Sequence, residues 1–128
     1  MRNMSFSMTT EAVRRHEKTV TRRLGWWDLK PGTVLQACEK CQGLKKGEKV
    51  VKLAVIRVVS VTREPLHYVL DYPESEFVNE GFGDMRRRAF MNMFMQANHC
   101  WEFTPVNRIE FEYVDNARPG GEEKRGDA

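Results

Sequence analysis

The segment Lys18-Thr19-Val20-Thr21-Arg22-Arg23 places an amine, hydroxyls and two guanidinium groups within six residues. Brought together, such groups address an anion or a carbonyl: the cations hold negative charge, the hydroxyl attacks or donates, and the amine carries a proton. The same six residues also describe a solvated strand edge with a β-favouring threonine pair. Geometry separates the two readings. Within a regular strand, residues three apart point to opposite faces, so Lys18 and Thr21 meet only if Lys18 sits at a corner before pleating begins.

Three other groupings have chemical potential. Trp26-Trp27 lies beside Arg22, Arg23 and Lys30, the mix of aromatics and cations that stacks on unpaired bases and holds phosphates. A pair in sequence cannot share one face of a strand, so Trp26 is the candidate for ligand contact and the alternative for either ring is core packing. Lys40, Lys45, Lys46, Lys49 and Lys52 form a lysine-rich stretch that can track a nucleic-acid backbone or simply be solvated; Lys45 and Lys46 are the anion-binding candidates. Cys38 and Cys41 have zinc-hook spacing, but the other candidate ligands, His99 and Cys100, are adjacent, which is poor geometry for chelating one ion. No metal site and no cofactor are expected. Arg86-Arg87-Arg88 reads as the exposed face of a late helix.

These groups need a scaffold. Met4 to Met8 alternates apolar and polar residues and predicts a short strand. Thr9 and Thr10 are N-cap candidates for a two-turn helix over Glu11 to Lys18. Strands are expected over Thr19 to Leu24 and, after the Pro31-Gly32 turn, over Thr33 to Lys40. Val50 to Val61 is the longest β-favouring run, with two-sided burial expected around Val58-Val59. Pro65 opens a short turn through Leu70, Pro73 a helix through Asn79, and Asp84 is the expected N-cap of a helix over Met85 to Asn98. Val106 to Val114 alternates strictly and closes the set. The result is an α+β domain over 1–114, a small, partly open β-barrel with helices at one side, followed by a flexible tail over 115–128.

Composition narrows the class. The 128 residues are 41% hydrophobic and 30% charged, enough for a real core in one domain. Residues 1–63 carry 14 basic and 5 acidic side chains, a net of +9; residues 64–128 carry 7 basic and 13 acidic, a net of −6. That split predicts a basic surface for an anionic partner. No stretch has the roughly 20 apolar residues of a membrane span, so no membrane partner is expected. Three cysteines and an N-terminus without an apolar signal region fit a cytoplasmic setting.

The order of these features carries a resemblance. The opening Phe6-Ser7 and short helix, Lys18 to Arg23, Leu29-Lys30-Pro31-Gly32 before a strand, Glu80-Gly81-Phe82 and the closing strand together resemble the ASCH domain, across roughly residues 4–114. The ASCH domain is a relative of the PUA fold whose members are small β-barrels associated with RNA. The resemblance therefore implies a PUA-like barrel with flanking helices and RNA or a modified nucleoside as partner. Within that family, Lys18 and Thr21 match the lysine and threonine of bacterial acetylcytidine amidohydrolases, Arg23 falls where those enzymes have an arginine, and Glu80 is most like their distant glutamate. The implied chemistry is hydrolysis of the amide of N4-acetylcytidine. Thr21 would attack or position water, Lys18 would take the proton, and Glu80 would orient the lysine or protonate the leaving amine. Arg22 and Arg23 would bind the anion. The chain departs from those enzymes in the Trp26-Trp27 pair, the basic loop and its greater length. A non-catalytic RNA-binding module and a metal-independent ribonuclease are the alternatives.

Overall fold

The structure is a computed structural model that describes residues 1–41 and 45–114, together with the backbone of 117–118 and 122–123. Five strands form one sheet: β1 (Arg2–Ser5), β2 (Val20–Arg23), β3 (Val34–Cys38), β4 (Lys52–Pro65) and β5 (Pro105–Tyr113). Their order is β1-β3-β4-β5-β2, with β1 parallel to β3 and the other pairs antiparallel. The sheet curls into a half-barrel, with β4 bulged between Val58 and Ser60, where the extra residue bends the strand. Curling brings the two edges together: Arg23 on β2 donates to the Ser5 carbonyl on β1 at 2.6 Å. A side chain spans the gap where a closed barrel would have a ladder.

Helices fill the rest: α1 (Thr10–Arg14), a 3-10 turn over Leu66–Asp71, α2 (Ser75–Asn79) and α3 (Arg87–Asn98). Two apolar clusters result. One lies within the sheet and includes Met4, Phe6, Leu35, Ile56, Ile109 and Phe111. The other joins Leu66, Val69, Phe77, Phe90, Phe94 and Val106 in the helical layer. None of the helices among the described residues is long and apolar enough to cross a membrane.

The expected α+β half-open barrel is what forms, with local differences. The first strand begins and ends earlier than Met4–Met8. The first helix stops at Arg14 rather than Lys18, because His16 takes a left-handed φ of 60° and turns the chain into the corner before β2. Two-sided burial falls on Leu53 to Ile56, whereas Val59, at the bulge, is exposed. Asp84 does not cap α3. Met85 N–H closes a turn onto the Phe82 carbonyl at 2.9 Å, and Arg86, in an extended conformation, precedes the helix. Of the tail expected over 115–128, two-residue strands at Ala117–Arg118 and Glu122–Glu123 pair with each other; the remainder lies outside the described residues.

Candidate functional site

Lys18 sits at the corner, before the pleat. β2 starts at Val20, and several contacts fix the approach to it. Lys18 N–H reaches the Ala12 carbonyl, Thr19 N–H reaches the Asn79 carbonyl at 2.8 Å, and Tyr113 Oη donates to the Lys18 carbonyl at 2.6 Å. The geometric condition for Lys18 and Thr21 to converge is therefore met, and both line one pocket.

Glu80 arrives from the other side, at the C-terminus of α2. Gly81 follows it with a φ of 88°, and a Cβ there would lie 3.0 Å from the Thr9 side chain. The close approach of α1 to the end of α2 thus requires glycine at this step. Glu80 is buried and uses both oxygens: Oε1 lies 3.3 Å from Lys18 Nζ, and Oε2 accepts from Arg22 Nη1 at 2.8 Å. Lys18 Nζ also donates to the Glu80 backbone carbonyl. Burial draws the Lys18 ammonium down from 10.5 to about 8; Glu80 pulls it back up, and Arg23 and Arg22 push it lower. Desolvation wins.

Thr21 and Arg23 are bound to each other, Arg23 Nε donating to Thr21 Oγ1 at 3.0 Å. Residues two apart share a strand face, and this face looks into the half-barrel, Thr21 being registered against Ile109 of the inner cluster. The Arg23 guanidinium lies over the Phe6 ring at 4.7 Å. Its Nη1 has no hydrogen-bond partner among the described residues. Burial lowers its pKa to about 10, with Glu80 opposing, so it stays charged at neutral pH.

Arg22 points the other way. Its side chain is fully buried and meets three carboxylates: Glu80, Glu76 at 2.8 Å and Glu64 at 3.5 Å. Arg108 of β5, its cross-strand neighbour, grips Glu76 with two bonds of 2.7 and 2.9 Å. Two like charges are thus held side by side by the carboxylate between them, and Tyr72 donates to Glu64 while its ring faces both guanidiniums. With Lys18, the network counts three cations and three carboxylates. Arg22 also borders the pocket, but its guanidinium is fully buried against these carboxylates, which leaves Arg23 as the guanidinium with a free donor there. Glu64, Glu76, Tyr72 and Arg108 were not among the residues picked out in the sequence. Glu76 and Glu80 carried a signal: four apart on a helix, two carboxylates share a face.

The pocket measures about 280 Å³. Its polar wall holds Lys18, Thr21, Arg23 and Glu80; Phe90 and Phe94 of α3 form the apolar wall. It opens where the inner and helical clusters meet. The remaining candidates lie elsewhere. Trp26 lines a neighbouring pocket and packs on the inner cluster, with the Arg2 guanidinium 4.4 Å from its ring centre. Lys45 and Lys46 are exposed and line neither pocket. Among the described residues no group of three or more His, Cys, Asp or Glu side chains is placed to hold a metal ion; Cys38 is buried beside β4, and Cys100 packs on the helical cluster.

No family model and no curated protein matches this chain. Solved structures do. An Enterococcus faecalis V583 protein of the DUF984 family superposes with a TM-score of 0.62 at 15% identity, covering 89% of this chain and 76% of its own. An ASCH domain from Lactobacillus crispatus JV V101 gives 0.57 at 17% identity, covering 88% of this chain and 78% of its own. A hypothetical protein gives 0.57 at 15%, with 88% and 96% covered. At such identities the likeness speaks to architecture alone. The ASCH resemblance stands at that level: this chain has an ASCH-like, PUA-like fold.

Proposed function

We propose that the pocket binds a modified nucleoside and hydrolyses an exocyclic amide, with N4-acetylcytidine as the substrate. The observation that carries this reading is the buried Lys18–Glu80 pair opening onto a pocket that also holds Thr21 and an incompletely bonded Arg23. The volume, about 280 Å³, is at the lower end of ligand sites and suits one nucleoside better than a strand.

With a pKa of about 8, roughly a tenth of Lys18 is neutral at pH 7. Neutral Lys18 takes a proton from Thr21 or from a water held beside it, and the oxygen attacks the acetyl carbon. Negative charge then develops on the carbonyl oxygen, where Arg23 Nη1 stabilises it. Collapse breaks the C–N bond, and the Lys18 ammonium returns its proton to the departing N4 amine. If Thr21 itself attacks, water hydrolyses the resulting acetyl ester in a second step. Products are cytidine and acetate. Glu80, with both oxygens engaged, orients Lys18 and is not the proton donor.

The test is incubation of micromolar protein with N4-acetylcytidine, reading cytidine and acetate by chromatography. The expected result is turnover that Lys18→Ala abolishes. Intact substrate after hours with folded wild-type protein would sink the reading.

A further inference from the structure

A second pocket, of about 440 Å³, adjoins the first and shares Ser5, Ser7 and Arg23 with it. The shared wall is the gap between β1 and β2 that Arg23 spans, so the two are compartments of one groove. Their chemistry differs. The first has a carboxylate, Glu80, and an apolar wall from α3. The second has Arg23 and Lys40 as its cations, Trp26 as a side wall, and no carboxylate in its lining among the described residues. Lys40 is exposed and has no ion-pair partner among the described residues. Ser7, exposed at the junction, has a hydroxyl with no partner among them either. Two cations with unbonded donors, Arg23 through Nη1 and Lys40 through its ammonium, beside serine hydroxyls and with no carboxylate among the described lining residues, match a phosphoryl group. A base stacked flat on Trp26 is a poorer occupant, since Arg2 covers one face of that ring.

We propose that this second compartment binds a phosphate attached to the nucleoside held in the first, so that the preferred ligand is a nucleotide, free or within a chain, over the bare nucleoside. This deepens the reading of the first pocket as a nucleoside site and rests on it. Arg23 belongs to both compartments; Lys40 belongs only to the second and distinguishes them.

The experiment is a calorimetric titration of the full chain at low salt. The probes are N4-acetylcytidine, its 5′- and 3′-monophosphates, and a trinucleotide with acetylcytidine at its centre. At least one phosphorylated probe should bind about tenfold or more tightly than the nucleoside, the scale of a charge-assisted pair. That ratio should shrink toward one in Lys40→Ala and with rising salt. It should persist in Lys30→Ala, an exposed cation outside both compartments. The trinucleotide against the monophosphates tells a phosphodiester chain from a free nucleotide. Equal affinity for the nucleoside and all its phosphorylated forms overturns the proposal. So does a ratio that survives Lys40→Ala or collapses equally in Lys30→Ala. Turnover is not the readout: a phosphate preference without hydrolysis keeps the compartment and loses the hydrolase, whereas hydrolysis without the preference does the reverse.

Discussion

Arg22 and Arg23 are neighbours on one strand, yet they occupy opposite worlds. Arg22 faces the helical layer, fully buried among Glu64, Glu76 and Glu80. Arg23 faces the half-barrel, holds Thr21 and Ser5, and keeps Nη1 unbonded among the described residues. Strand alternation accounts for the divergence: one residue of separation sends two identical side chains to different faces. A cationic run is therefore not a unit. One guanidinium is consumed in organising Glu80, and that organisation lets the other, with Lys18, face a ligand.

Arg22→Met leaves three buried carboxylates short of a partner and should cost about 3–5 kcal/mol of stability, read by urea unfolding. A loss below about 1 kcal/mol would mean the network does not bear on the fold. Arg23→Gln should behave in the opposite way, lowering turnover of acetylcytidine by about 10²–10³-fold, the size of a lost oxyanion donor, with a much smaller change in the unfolding midpoint. If both substitutions lower stability alike, the two faces of β2 do not have separate roles. Next comes Tyr113→Phe, which removes the bond to the Lys18 carbonyl and should cost about 1 kcal/mol. It should also lower kcat more than it changes KM, because Lys18 loses its anchor.

Lys18 also gives the protein a pH dependence. Lys18 is lowered to about 8 when folded and lies near 10.5 unfolded. Below pH 8 both states hold the proton and the burial penalty is fully present. Between about 8 and 10.5 only the unfolded chain binds it, so Lys18 should make stability rise with pH across that window. Lys18→Met should flatten this part of the profile. Turnover that uses the neutral amine should climb through pH 8, and a flat rate from pH 6 to 9 would remove Lys18 as the base.

Much of the scaffold was legible because short-range patterns specify it. β-Branched residues marked β2, alternation marked β5, the Pro31-Gly32 turn preceded β3, and Pro73 preceded α2. Boundaries were less so. The end of α1 depends on the left-handed His16, which stacks on Tyr113, a residue near the other end of the domain. The site divides in the same way. Lys18, Thr21 and Arg23 are neighbours in sequence, and spacing alone made them candidates. Glu64, Glu76 and Arg108 sit in ordinary strand and helix positions, and nothing local marks a carboxylate as buried until another element covers it. Trp26 beside the arginines suggested stacking, yet the fold turns it onto the inner cluster under Arg2.

The charge split of +9 against −6 shows where the line falls. Local patterns along the chain specify the elements, their order, and the presence of acid in the second half to meet base in the first. Which acids meet which bases is settled by folding. Burial sets that choice: Glu64, Glu76 and Glu80 stand opposite Arg22 and Lys18 because the curled sheet and α2 exclude water there. In water an ion pair is weak, and behind a packed sheet the same pair must be matched. Propensity and periodicity act over a few residues, whereas desolvation depends on what folds over a side chain from 42 to 62 residues away.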